Sequence, residues 1–233
     1  MIKEFPHGRV IFGDCLEVMP TLERVDLVLT DPPYGIDFQS ARRIDKTKRH
    51  KKIINDKKPF IWWMYYLHQI LNDNGSLMCF TRWDVEDAFK KAIDWAGLKL
   101  KSQVIWDKVV HGMGDLRSSY APQHENILFA IKDTFQFPNK RPKSIYRHQK
   151  VSPDNLMHPN EKPVPLLEDI CNDLTTYNGV VLDCFSGSFA TAIACINTNR
   201  KFICIEKDET YFNKGIERIE THYEKMGLFK EAV

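Results

Sequence analysis

The residues Asp31-Pro32-Pro33-Tyr34 end an apolar run at 26–30 with an acid, two prolines and an aromatic ring. Adjacent prolines remove two backbone donors and fix two φ angles. They also push Asp31 toward extended backbone. What remains is a rigid corner of carbonyl oxygens, one carboxylate and one ring, which accepts hydrogen bonds and donates few. It suits a guest that donates N–H bonds and is flat, such as an exocyclic amine on a nucleobase. The Asp31 carboxylate and the Pro32 carbonyl can each accept one amine hydrogen, and Tyr34 can stack on the ring. An aryl amine is a poor nucleophile because its lone pair is delocalised. Two acceptors in tetrahedral directions localise that pair, so the nitrogen can attack an electrophilic methyl in line. Such catalysis is positioning and electrostatics, with no covalent enzyme intermediate.

A second group of residues lies near the other end. The stretch VVLDCFSGSFATAIACI, 180–196, reads as a buried strand, a small-residue turn and an apolar helix. Asp183 ends the strand. Cys184 and Phe185 follow, and Ser186-Gly187-Ser188 lets backbone pass close to a ligand beneath the N–H groups of the next helix. Glu206 ends the next strand, about 20 residues past the glycine turn, which suits the hydroxyls of an adenosine ribose. A plain turn with capping serines and a surface glutamate fits the same residues. The G-x-G-x-x-G spacing that seats a pyrophosphate is absent, which favours a nucleoside cofactor without phosphates.

These residues need a scaffold. The chain has 233 residues, 43% of them apolar, enough for one domain spanning 1–233. A net charge of +2 makes any basic surface local. Strands are predicted at 9–12, 26–30, 76–80, 99–106, 126–131, 180–183 and 202–205. Helical periodicity is predicted at 60–71, 85–95 and 164–174, and in a last helix carrying Phe212, Ile216, Ile219 and Tyr223. Alternating strands and helices imply an α/β fold, a mostly parallel sheet with helices on both faces. The spacing of Trp62, Trp63, Tyr65 and Tyr66 predicts burial. The six cysteines form no CxxC pair and read as buried free thiols. No metal is expected, and His158 reads as a cap or packing residue. No run approaches the ~18 apolar residues of a membrane span, and the N-terminus lacks a signal-peptide core. A soluble, cytoplasmic protein is expected.

Two long stretches break the alternation. The basic loop 35–58 carries Arg42, Arg43, Lys48 and Arg49, suited to phosphate contacts with duplex DNA. The stretch 132–157 carries Arg141, Lys143 and Arg147, suited to base edges in a target-recognition insertion. A solvated loop and a surface loop closing the fold fit the same residues.

Taken together, Asp31–Tyr34, the segment His158-Pro159-Asn160-Glu161-Lys162-Pro163 and the loop Asp183–Ser188 resemble amino-group DNA methyltransferases that use S-adenosylmethionine. The tetrapeptide comes first and the cofactor loop last, which is similar to the permuted β group. The resemblance covers roughly residues 8–34, 75–131 and 156–220. It implies a Rossmann-like, seven-stranded class I sheet in circularly permuted order. It implies methylation of adenine N6 in duplex DNA after the base is extruded. Asp31, Pro32, Pro33 and Tyr34 would then hold the target. Cys184, Phe185, Ser186 and Gly187 would line the cofactor, with Asp183 near its methionine part, Glu206 on its ribose and Asp14 near its adenine. Lys162 would bind the cofactor, with Asn160 and Pro163 in the same wall. Aspartate before Pro-Pro-Tyr is typical of adenine enzymes, and serine of cytosine N4 enzymes. Cytosine N4 or RNA as the target, and a non-catalytic nucleic-acid-binding module, remain the alternatives. The resemblance leaves room for a homodimer and a partner restriction endonuclease. One position departs: Phe189 stands where the family loop has its second glycine. The turn must accept a Cβ there, or bind cofactor less tightly.

Overall fold

The computed structural model of the chain describes residues 1–35, 58–112, 117–152, 154, 156–158 and 160–227. In chain order the elements are β1 (Ile2–Phe5), β2 (Gly8–Phe12), α1 (Cys15–Val18), β3 (Val25–Thr30), α2 (Leu67–Ile70), β4 (Leu71–Thr81), α3 (Glu86–Trp95), β5 (Lys99–Asp107), β6 (His124–Ile131), β7 (Ile145–Arg147), α4 (Val164–Leu174), β8 (Val180–Asp183), α5 (Ala190–Asn197), β9 (Lys201–Glu206) and α6 (Glu209–Lys225). The strands form one sheet of nine in the order β1-β2-β9-β8-β3-β4-β6-β5-β7.

The block β2-β9-β8-β3-β4 is parallel throughout. Its central strands, VDLVLT and VVLD, are buried along nearly their whole length, as strands covered on both faces must be. β6 runs against both of its neighbours. Its amino end, at His124-Glu125, therefore lies at the edge where the parallel strands end. All seven expected strands are present, and two edge strands raise the count to nine. β1 buries only Phe5 and is held by an antiparallel pairing with β2, while β7 buries only Tyr146. One inward side chain per strand leaves no alternation to read.

The connections from β3 and β8 diverge, to β4 on one side and to β9 on the other. Between β3 and β8 lies the switch point, where open α/β sheets bind ligands. Leu27 pairs with Val181 and Val28 with Leu182, which brings Asp31 and Asp183 to the same edge. Of the helices, α5 is apolar all round and buried on every side but its last residue. Asp208 caps α6 by accepting from the N–H groups of Thr210 (2.8 Å) and Tyr211 (3.1 Å).

The aromatic run at 62–66 corrects one expectation. It is a 3₁₀ helix, with three residues per turn. Trp62 and Tyr65 therefore share an outward face, 70% and 81% exposed, while Trp63 is fully buried. All six cysteines are buried free thiols. Among the described residues no helix is long and apolar enough to cross a membrane.

Candidate active site

At the carboxyl edge of β3, both oxygens of Asp31 are engaged. Oδ1 accepts from the Tyr34 hydroxyl, and Oδ2 meets Lys162 Nζ at 2.5 Å. Lys162 is 8% exposed, and its ammonium also lies 3.2 Å from Glu125 Oε2. It sits over the Phe80 ring, 4.9 Å from the centroid, and 6.0 Å from that of Trp106. Burial, reinforced by the Glu125 charge, pushes the Asp31 carboxyl above its ordinary value, with Lys162 pulling against it. Burial works against the Lys162 charge, but Asp31 and Glu125 outweigh it and hold the ammonium above its ordinary value. Glu125 has a second cation, Lys108, at 2.7 Å.

The two prolines differ. The Pro33 carbonyl accepts from Phe60 N–H at 3.0 Å, whereas that of Pro32 accepts from no group among the described residues. Pro32 is thus the carbonyl available to a guest. Tyr34 departs from expectation. Its ring is buried, edge-on to Phe89, and its hydroxyl orients Asp31, so it does not offer a face to a base. The ring that lines the crevice beside Pro33 is Phe60.

Across the switch point, Asp183 accepts three bonds, from Thr30 Oγ1 (2.9 Å), Thr191 Oγ1 (2.6 Å) and Phe185 N (3.1 Å). These bonds tie β3, β8 and α5 together. Burial outweighs all three and pushes its carboxyl up to about 6. Gly187 turns with φ +50, and a Cβ there would come within 3.1 Å of the His158 ring, so backbone alone fits the passage. Glu206 accepts from the N–H groups of Gly187 (2.8 Å), Lys207 (2.9 Å) and Asp208 (2.7 Å). Burial still raises its carboxyl above the ordinary value. Asp14 caps α1 through Leu16 N and pairs with Lys207 at 2.5 Å. Burial opposes its charge, but Lys207 and the Leu16 amide hold it below 3.8.

Phe189 resolves its own question. It adopts the left-handed conformation that a glycine would, φ 55 and ψ 30, at the N-cap of α5, a cost of about 1–2 kcal/mol. Its ring is fully buried and points away from the crevice, against α6. Gly215 makes the room, since a Cβ there would lie 1.6 Å from the ring. The turn tolerates the Cβ because the helix opposite gives one up.

Asp14, Asp31, Pro32, Pro33, Lys162 and residues 183–187 line one crevice with Glu206. Its charged lining is mainly acidic: Asp14, Asp31, Glu161, Asp183, Glu206 and Asp208 against Lys162 and Lys207, each of which is paired with a carboxylate. This environment repels phosphate and favours a cation such as a sulfonium. Cys184 contributes a buried wall, its Sγ 3.6 Å from Met19 Sδ. Arg218, which the sequence did not single out, pins the segment around Glu161 over the glycine turn. It bonds Glu161 at 2.8 Å and the Ser188 carbonyl at 2.9 Å. His158 packs edge-on to Tyr211 at 4.6 Å.

The basic residues divide. Arg42, Arg43, Lys48 and Arg49 lie outside the described residues. Arg141 and Lys143 line a separate hollow with Phe129, Phe135 and Phe137, over the middle of β5 and apart from the crevice of Asp31. Arg147 lies at the carboxyl edge, exposed, 3.5 Å from Asp107. Part of 132–157 thus covers the sheet with an aromatic cluster, and Ile145–Arg147 extends it.

A mainly parallel sheet with one internal reversed strand beside β4, and with an acceptor corner and a glycine loop on one edge, is the architecture of class I-like methyltransferases. Residues 25–217 match the family of N6 and N4 enzymes described as DNA methylase, and the chain belongs to that family of S-adenosylmethionine-dependent amino-methyltransferases. It is similar to YubD of Escherichia coli strain K12, named as a methylase, at 31% identity over 91% of this chain and 90% of the other. It is also similar to the DNA adenine methyltransferase YhdJ of the same strain, at 28% identity over 95% and 86%. Among solved structures, that of M1.HpyAVI in complex with SAM superposes with a TM-score of 0.71 at 24% identity, covering 90% of this chain and 98% of the other.

Proposed function

We propose that the protein transfers a methyl group from S-adenosylmethionine to the N6 amine of adenine in duplex DNA, with the base extruded into the crevice. The observation that carries this reading is the shared crevice: the Asp31–Pro32 corner and the Gly187 turn lie on one edge, on either side of the switch point. Support for adenine comes from the aspartate before Pro-Pro-Tyr and from the relative named as a DNA adenine methyltransferase. The family also holds cytosine N4 enzymes, so the target base is the point the experiment must decide.

The bound cofactor supplies an electrophilic methyl on a sulfonium. This chain supplies the rest. Asp31 and the Pro32 carbonyl accept the two amine hydrogens and so localise the nitrogen lone pair. Tyr34 fixes the Asp31 carboxylate through its hydroxyl. Phe60 offers an apolar wall for the base. The acidic lining favours the cationic cofactor, with Glu206 at its ribose and Asp14 toward its adenine. The cysteines take no part as nucleophiles, since burial pushes every shifted thiol up, Cys15 to about 12. The basic loop at 35–58, with Arg147 at the same edge as Asp31, would meet the phosphates. The reading places the protein in the cytoplasm, with a homodimer and a partner endonuclease as its further extensions.

The test is incubation with methyl-labelled cofactor and a mixed-sequence duplex, followed by nucleoside analysis. Label in N6-methyl-2′-deoxyadenosine is expected. Label in N4-methylcytosine moves the target to cytosine, and no label in either base rejects the reading. Replacing Arg42, Arg43, Lys48 and Arg49 with Ala is expected to flatten the salt dependence of duplex binding by roughly 3–4 in log–log slope. An unchanged slope would return that loop to solvent.

A further inference from the structure

We propose that Lys162 is a positioning residue with two alternative carboxylate partners, Asp31 and Glu125, and that Glu125 draws it aside when the target amine enters. The inference rests on the proposed reading of Asp31 as amine acceptor. As the chain stands, each oxygen of that acceptor already carries a donor: Tyr34 on one and the charged Lys162 on the other. Each oxygen keeps a second lone pair, but an amine bonds the carboxylate most strongly where the charged donor on it withdraws. Tyr34 ends in a rigid ring and is buried. Lys162 ends a flexible four-carbon stem and already lies 3.2 Å from Glu125 Oε2. That oxygen is buried and makes no well-aligned hydrogen bond among the described residues, so a place for the ammonium is prepared. Phe80 and Trp106 face the ammonium, so a short swing between the carboxylates keeps it over aromatic rings.

The arrangement has an electrostatic consequence. The ionisable groups facing Asp31 are Lys162, Glu125 and Tyr34, with Cys79 on β4 and Asp183 on β8. Glu125 opposes the Asp31 charge and Lys162 favours it. Removing one or the other must shift the ionisation of Asp31 in opposite directions, and the acid limb of methyl transfer with it, because only the ionised carboxylate accepts both ways.

The experiment measures single-turnover methyl transfer against pH in the full chain and in Glu125→Gln, Lys162→Met and Lys162→Arg. Cofactor titration by calorimetry and circular dichroism provide the controls. Glu125→Gln is expected to slow transfer about tenfold or more and to move the acid limb down by about one unit. Lys162→Met is expected to move that limb up by about 1–3 units. Lys162→Arg keeps the charge but grips Asp31 with a planar fork, so it is expected not to restore the rate. Cofactor affinity is expected to stay within about twofold in Glu125→Gln, whose side chain does not line the crevice. A wild-type chain that labels no base overturns the reading of Asp31 and this inference with it. An active wild type with Glu125→Gln equally fast and its acid limb unmoved overturns this inference alone. Should Glu125→Gln fail to fold, Lys162→Arg at the wild-type rate overturns it instead.

Discussion

Asp31 and Asp183 end neighbouring parallel strands at one edge of the sheet, face the same crevice, and are held in opposite ways. Asp183 is bonded by two threonine hydroxyls and a backbone amide, all short and fixed to the scaffold. Asp31 is bonded by a tyrosine and by the end of a long lysine that a second carboxylate can claim. A carboxylate surrounded by fixed donors fastens elements together. A carboxylate held by a donor that can leave is able to exchange partners, which is what a substrate site needs. Residue type and position in the fold do not separate these roles; the mobility of the donors does.

The largest effect should come from the exchangeable side. Asp31→Ala is expected to lower methyl transfer by about 10³-fold or more, with cofactor affinity within about twofold by calorimetry. Turnover near the wild-type rate would remove Asp31 from the chemistry and collapse the contrast. On the fixed side, Gly215→Ala is expected to cost about 3 kcal/mol in denaturant unfolding, because its Cβ meets the Phe189 ring. Adding Phe189→Ala should recover part of that loss. If Gly215→Ala is harmless, the cofactor turn is less firmly braced than its packing implies.

The smallest effect concerns pH. The folded chain raises Asp183 from 3.8 to about 6, so it holds that proton more tightly than the unfolded chain does. The resulting stability is fully present below about pH 4 and is lost as pH rises through about 6. Asp183→Asn removes the titration. The wild type should therefore lose about 2 kcal/mol relative to this variant between pH 4 and pH 7. A difference that changes in the other direction would mean that the three donors outweigh burial and hold Asp183 ionised.

Much of the corner was legible in the sequence because its parts are contiguous. A strand end, two prolines and a tyrosine define a rigid acceptor whatever surrounds them, and the glycine turn with Glu206 is equally local. What escaped reading depends on distant chain. Lys162 stands 131 residues from Asp31, and its local sequence suggested a cofactor wall. Glu125 reaches the site only because β6 is reversed, and an apolar alternation gives a strand's faces without its direction. Tyr34 was expected to stack, but Phe89 and the hydroxyl bond to Asp31 turn its ring inward. Phe189 broke the glycine pattern of its own loop, and the compensating residue, Gly215, lies on a different helix.

The most direct test of the account is the structure of the full chain with S-adenosylhomocysteine and a duplex containing its methylation site. The target amine nitrogen is expected within about 3.2 Å of both an Asp31 oxygen and the Pro32 carbonyl oxygen, with Lys162 moved onto Glu125. A base seated in the crevice whose amine bonds elsewhere, while Asp31 still grips the lysine, would contradict it.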